Sequence, residues 1–227
     1  MLYYTRKKIK ISIEGLIEKI FSFVYCKNIL LLENNLKKKS PNDLEIKKYY
    51  DKYVSEISTS GMAISLESSL TILSLLEYFK PKSILDLGSG FSSFLFRLYK
   101  KNAQYRVNII SVDHDIQWIQ KSRIFLSYFK LDDENFILSD NFFQSKDKNK
   151  NFDFILNDFS SGSYRDEITR LIPNFTNSNS CMVFDDMQNY KHKKAVMRVI
   201  MQNNYRYVDL RNYTFDFKNR YQWLVIK

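Results

Sequence analysis

The sequence predicts an α/β protein. Its sheet is mostly parallel, covered by helices on both faces, closed by an antiparallel C-terminal hairpin and preceded by a helical extension. Three observations carry this. From Gly61 onward, short apolar runs of strand character alternate with stretches of helical periodicity, the pattern of crossover units that cover a parallel sheet on both sides. Residues 81–113 read as a buried strand, a glycine turn, a helix and a second buried strand ending in a carboxylate. The last two apolar runs, 205–210 and 221–226, have no helix between them and must therefore pair antiparallel at one edge.

The elements follow in order. Residues 1–60 read as a basic helical cap broken near Ser40-Pro41-Asn42-Asp43, and residues 61–227 as the main domain. Helices are expected over 63–78, 92–100, 116–129, 164–175 (interrupted near Pro173) and 191–203. Strands are expected over 83–87, 107–112, 135–138, 152–156 and 181–184, with a polar loop over 144–151. No internal repeat or low-complexity tract interrupts the series.

Composition narrows the class. The chain has 227 residues, 44% hydrophobic and 16% aromatic, enough to bury a sizeable core and inconsistent with disorder. The net charge of +10 is uneven: residues 1–40 hold nine Lys or Arg against three Glu. A solvated basic tail explains that field, while nucleic acid, an anionic surface or a phosphorylated substrate are the functional alternatives. Residues 11–32 are apolar-rich, but Glu14, Glu18, Lys19 and Lys27 interrupt them, against a spanning helix or a secretory signal. Ile13, Leu16, Ile17, Ile20 and Val24 recur at helical spacing. That face packs on the main domain or on a partner subunit in a homo-oligomer, with membrane-surface contact as the alternative. Cys26 and Cys181 lack metal-type spacing and read as reduced core residues of a cytoplasmic protein.

In an open α/β sheet, ligands sit at the carboxyl ends of the strands, and here every such end is acidic. The first carries Asp86, Gly88, Ser89 and Gly90; the second Asp113, His114 and Asp115; the third Asp140; the fourth Asp158; the fifth Asp185 and Asp186. Gly88 and Gly90 let the backbone turn tightly beside a ligand. Asp113, 23 residues beyond Gly90, is spaced to accept both hydroxyls of a ribose. Dinucleotide-binding turns usually carry an apolar residue at the position of Asp86 and a third glycine at that of Ser93. An acidic residue there suits a ligand with an ammonium and a sulfonium better than a pyrophosphate.

Asp86-Leu87-Gly88-Ser89-Gly90 with Asp113 resembles the S-adenosylmethionine site of class I methyltransferases, over about residues 60–227. The resemblance implies a Rossmann-like seven-stranded sheet and S-adenosylmethionine as cofactor. It also implies Asp86 at the methionine end, Asp113 at the ribose and Asp140 at the adenine amine, where an N-cap role is the alternative. His114 lines that site or packs beside it. The segments ending in Asn157-Asp158 and Asp185-Asp186 resemble metal-dependent O-methyltransferases of the catechol type, and still more their sugar- and natural-product-modifying relatives.

That second resemblance implies Asp158, Asp185 and Asp186 as ligands of Mg²⁺ or another divalent cation. The cation would lower the pKa of an acceptor hydroxyl on a small, sugar-like molecule. The alternative is that Asp185 and Asp186 cap the next helix and meet Lys191 or Lys193. The sequence departs from the pattern at Ser161, where a lysine is expected, and at Asp186, where an asparagine is. Asp158 and His192 are the catalytic candidates, with Lys191, Lys193 and Arg165 as further bases by position. Asn157-Asp158-Phe159-Ser160 does not match the Asn/Asp-Pro-Pro-aromatic loop of amino-methylating enzymes, and no RNA-binding module is present, which disfavours a nucleic-acid substrate. A metal-independent methyltransferase acting on RNA and a non-catalytic cofactor-binding module remain the alternatives.

Overall fold

The computed structural model describes residues 36, 43–145, 150–159 and 163–227, of Ser163 the backbone alone. The predicted basic segment up to residue 42, Leu36 apart, lies outside the described residues, and with it the apolar stretch 11–32 and Cys26. So do Ser160, Ser161 and residues 146–149 of the expected 144–151 loop.

Helix α1 spans Asp43–Glu56. Asp43 and Glu45 in its first turn complement the helix dipole, and Ile46, Tyr50 and Tyr53 recur on one face that is buried. Those residues join the same apolar cluster as the sheet, so α1 is part of the domain's core. Helix α2 (Leu66–Phe79) is capped by Ser65, whose hydroxyl accepts the Ser68 N–H at 3.1 Å. It ends at Lys80 in the left-handed conformation, one residue before Pro81.

The alternating pattern follows: β1 (Ser83–Leu87), α3 (Phe91–Asn102), β2 (Asn108–Asp113), α4 (Ile116–Tyr128), β3 (Phe136–Leu138), α5 (Ser139–Gln144) and β4 (Phe152–Asn157); α5, between the third and fourth strands, is not among the expected helices. There follow α6 (Ser163–Leu171), a 3₁₀ turn (Ile172–Phe175), β5 (Thr176–Phe184), α7 (Tyr190–Asn203), β6 (Arg206–Asp209), α8 (Arg211–Thr214) and β7 (Trp223–Ile226). Pro173 sits where the 164–175 helix was expected to break, and converts its last turn to 3₁₀ geometry. Strand β5 starts at Thr176, earlier than expected, through an irregular pairing between Phe152 and Phe154. The last two strands pair antiparallel, with one short helix, α8, in their connection.

Strand order is β3-β2-β1-β4-β5-β7-β6, parallel throughout except for β7, which runs antiparallel between β5 and β6. Apolar side chains alternate between two clusters, one on each face: Ile84, Leu156 and Val183 on one, Leu85, Ile155 and Met182 on the other. Order reverses between β1 and β4, the switch point where open α/β sheets bind ligands. The register aligns Leu87 with Val112 and with Asn157, and Asn157 with Phe184. Gly88, Asp113, Asp158 and Asp185 therefore leave the sheet at one level. A groove of about 430 Å³ lies between α1, α2 and the C-terminal turn of α3, lined by Ile46, Leu70, Leu73 and Tyr99. It sits at the opposite end of α3 from the glycine turn. Among the described residues no helix is long and apolar enough to cross a membrane.

Candidate active site

Gly88 is the hinge of the site. Its φ is +102°, and a Cβ there would lie 2.3 Å from the Asp158 carbonyl oxygen. The β1 and β4 loops thus touch backbone to backbone, which only glycine permits. The Gly88 N–H donates to the Val112 carbonyl at 2.8 Å and the Asp158 N–H to the Leu87 carbonyl at 2.9 Å, so three strand ends are stitched around the turn. Gly90 is different: its backbone is extended, and a Cβ there would meet only the Tyr53 hydroxyl at 3.4 Å.

Asp86 is predicted to face the ligand, but the structure places its carboxylate beneath the turn, fully buried. It accepts hydrogen bonds from Ser92 Oγ (2.9 Å), Ser93 Oγ (2.5 Å) and Ser111 Oγ (2.8 Å). Ser111 is its register partner on β2. Behind these hydroxyls the Arg97 guanidinium, itself 2% exposed, donates to Ser111 Oγ at 2.9 Å and to the Glu134 carbonyl at 2.8 Å, and stacks on Phe136. Burial pushes Asp86 up to about 6, against the pull of the three hydroxyls and Arg97. Its physical role is to fix the turn from below.

Asp113, 5% exposed, pins the turn from the side: one oxygen accepts both the Ser89 N–H (2.7 Å) and the Ser89 hydroxyl (2.8 Å), the other the Asp115 N–H (3.0 Å). His114 stands over it, Nδ1 3.2 Å from Asp113 Oδ1, with its ring beside Phe159 and Tyr164. Asp140 is exposed in the first turn of α5. It is not the cap of that helix, since the N-cap position is Leu138. Ser89, Asp113, His114 and Asp140 therefore lie along the ends of β1, β2 and β3, in the order of the predicted nucleoside contacts.

The second predicted constellation comes together around a different cation. Arg165, on α6 and 7% exposed, donates from NH1 to Asp186 (2.6 Å) and from Nε to the Phe159 carbonyl (2.9 Å), and pairs through NH2 with Asp158 (3.3 Å). Among the described residues no group of His, Cys, Asp or Glu could hold a metal ion. At the expected Asp158–Asp185–Asp186 metal centre, the Arg165 guanidinium lies between Asp158 and Asp186 and pairs with both. The helix-capping alternative does not hold, because Asn189 caps α7, accepting from the Lys191 and His192 N–H groups. Asp186 adopts a left-handed backbone and binds Arg165 and Gln188 instead.

Electrostatics separates the three carboxylates. Burial, then Asp185, hold Asp158 well above the usual carboxylate range. Burial, then Asp186, push Asp185 up to about 7. Arg165 and Gln188 outweigh burial and hold Asp186 low. Asp185 is 3% exposed and its Oδ1 has no partner among the described residues. The Asp158 side chain keeps 22% exposure at the site's mouth. His192, the other catalytic candidate, is 2% exposed in the α6–α7 seam, with Nδ1 3.3 Å from Asp166. Burial, then Arg165, push it down to about 4, so its imidazole is neutral at pH 7.

Two side chains at the site escaped the sequence reading. Tyr53 belongs to the segment read as a cap, yet lies against Gly90. Phe159, fully buried, carries the ring on which His114 and Tyr164 pack. The only sequence signal for either was an aromatic residue on an apolar face.

No family model matches the chain, and no curated protein matches it. Solved structures do. The S-adenosylhomocysteine-bound methyltransferase PaMTH1 of Podospora anserina is 13% identical, with 87% of this chain and 92% of that one covered at a TM-score of 0.60. The O-methyltransferase of Bacillus cereus in complex with S-adenosylhomocysteine is 9% identical, covering 93% and 96% at 0.57. Precorrin-6y C5,15-methyltransferase of Geobacter metallireducens is 15% identical, covering 73% and 90% at 0.53. At such identities the likeness is one of architecture, and on it, together with the strand order, the chain has the class I methyltransferase fold.

Proposed function

We propose that the protein is an S-adenosylmethionine-dependent methyltransferase that moves a methyl group to a hydroxyl of a small molecule, with a sugar or glycoconjugate precursor as the acceptor class. The observation that supports this best is the β1 turn: Gly88 at positive φ packed on the Asp158 backbone, with Asp113 fixing Ser89 beside it. The Asp113 carboxylate, at the end of β2, has the chemistry to accept a ribose diol. Asp140 at the end of β3 can accept from an exocyclic amine. The likeness of the β4 and β5 ends to sugar-modifying relatives supports the acceptor class.

Bound S-adenosylmethionine supplies a sulfonium-activated methyl group that an acceptor oxygen takes by in-line displacement. The chain's part is to position the two reactants, to keep water out and to receive one proton. Asp158 is the group best suited to that proton: its side chain keeps some exposure, and burial beside Asp185 raises its affinity for protons well above that of an ordinary carboxylate. His192 is an accessory at most, buried in a helix seam. The positive charge among the carboxylates is the chain's own Arg165, which supports a reaction without a bound metal.

Calorimetry with S-adenosylhomocysteine in buffer containing EDTA tests the proposal. Wild type is expected to bind, and Asp113→Ala to lose about a hundredfold or more, the worth of two hydrogen bonds to a charged group. A folded wild-type protein with no affinity, or an Asp113→Ala protein that binds equally well, refutes it.

A further inference from the structure

The groove of about 430 Å³ between α1, α2 and the end of α3 is apolar along its walls and acidic at its rim. Ile46, Leu70, Leu73, Leu98 and Tyr99 line it, and of these five all but Ile46 are only partly buried, so apolar surface faces the opening. Asp43, Glu45 and Glu77 against Lys101 make its charged lining net negative. The lining runs from Asp43 to Tyr49 on α1 and from Leu70 to Glu77 on α2, about two helical turns of each wall. An open apolar trough of this kind marks an interaction site. Three observations say what fills it. The chain enters α1 at the groove itself, since Asp43, the first residue of that helix, belongs to the lining. Leu36, the one described residue before α1, packs against the same apolar cluster as the groove walls, so the chain already lies on the domain there. The sequence upstream supplies both complements: Ile13, Leu16, Ile17 and Ile20 form an apolar stripe two turns long, and residues 1–40 hold nine Lys or Arg against three Glu.

We propose that residues 13–24 of this same chain seat their apolar stripe in the groove as a helix laid on α1 and α2, which makes the basic segment an intramolecular clamp on α1. The tether favours the chain's own segment over a second copy. Leu36 and Asp43 fix its end at the domain, and the stretch from Val24 to Leu36 can span up to about 40 Å, far more than the groove's own length of about 10 Å. A segment held that close acts at an effective concentration of about millimolar, which a second molecule in dilute solution does not match. Charge agrees with the placement. Lys37, Lys38 and Lys39 fall between Leu36 and Asp43, so their charge is confined near the acidic rim. Burying the stripe also covers the open walls at Leu70, Leu73 and Tyr99, which a membrane surface holding the same stripe would leave bare. Further along, α1 carries Tyr53 against Gly90, so the clamp secures a helix that also walls the glycine turn. The clamp is independent of the reaction catalysed.

Timed trypsin digestion of the full-length protein tests this, because Lys19 and Lys27 lie within and just beyond the proposed helix. In wild type both sites are expected to be cut at least about tenfold more slowly than in Ile17→Glu, which puts a charge into the stripe. Leu73→Glu, on the groove wall, should expose the same two lysines, and adding it to Ile17→Glu should change little beyond either alone. Ser74 also lines the groove, and its hydroxyl donates within α2 to the Leu70 carbonyl, so Ser74→Arg blocks the same trough with less strain on the fold. Leu73→Met keeps an apolar wall and should keep the protection. Circular dichroism separates release of the segment from unfolding of the domain. Equal cleavage rates in wild type and Ile17→Glu, or a folded Leu73→Glu or Ser74→Arg protein as resistant as wild type, would overturn the assignment. So would protection that fades on dilution as a dimer dissociates, which gives the groove to a second copy, or protection that arises only with anionic phospholipid vesicles.

Discussion

Replacing Gly88 by alanine should cost far more than the same change two residues away. At Gly88 the backbone has φ +102°, and a new Cβ would stand 2.3 Å from the Asp158 carbonyl oxygen, 2.7 Å from its carbon and 3.1 Å from the Phe159 nitrogen. All three are backbone atoms of the loop leaving β4, so no rotamer change relieves the overlap. The positive φ alone costs about 1–2 kcal/mol for an L-residue. Restoring ordinary contact means moving the β4 loop by about 1 Å against its hydrogen bond to Leu87, which brings the total to about 3–5 kcal/mol. In urea that is a fall in midpoint of about 1–2 M at an m-value of about 2–3 kcal/mol/M. At Gly90 the backbone is extended and the nearest atom is a side-chain oxygen at 3.4 Å, so Gly90→Ala should stay within about 0.5 kcal/mol of wild type. Equal midpoints for the two variants, or a Gly88→Ala midpoint at the wild-type value, would show that the loops are not in contact as described.

Two further outcomes are expected from the acidic cluster. Arg165→Met leaves Asp158, Asp185 and Asp186 without their cation, and should lower stability by about 3–5 kcal/mol at pH 8. The loss should shrink at pH 5.5, where protons replace the guanidinium, and urea titrations at the two pH values check it. Asp185 binds protons more tightly folded (about 7) than unfolded (3.8), so its contribution to stability is full below the unfolded value and is lost as pH rises through 7. Asp185→Asn should therefore gain stability relative to wild type between pH 5 and pH 8. A variant with the same pH slope as wild type would contradict that environment.

What could be read from the sequence was what local chemistry dictates. The glycine turn, the carboxylate spaced after it and the alternation of strands with helices all depend on residue type at fixed spacing, and each stands where predicted. The inward turn of Asp86 was legible but missed: in Ile84-Leu85-Asp86-Leu87 it shares the face of Ile84, and three serines lie within reach on α3 and β2. His192 is similar, because His192, Ala195, Val196, Val199 and Ile200 trace one buried helical stripe. Arg165 could not be read this way. Its pairing with Asp186 spans 21 residues and exists only because α6 packs against α7 behind β5. Tyr53 was lost to the boundary drawn after residue 60, since nothing local says that α1 reaches the end of β1.

The three serine hydroxyls and the Arg97 guanidinium around Asp86 have a consequence for how a ligand is received. They tie strand, turn and following helix into one rigid piece before anything binds. Ordering three flexible residues would take about 3–6 kcal/mol out of any affinity, and here that entropy is lost during folding. Capture at this end of the cleft should therefore behave as docking onto a preformed surface, with association rates governed by diffusion and charge and not by loop closure.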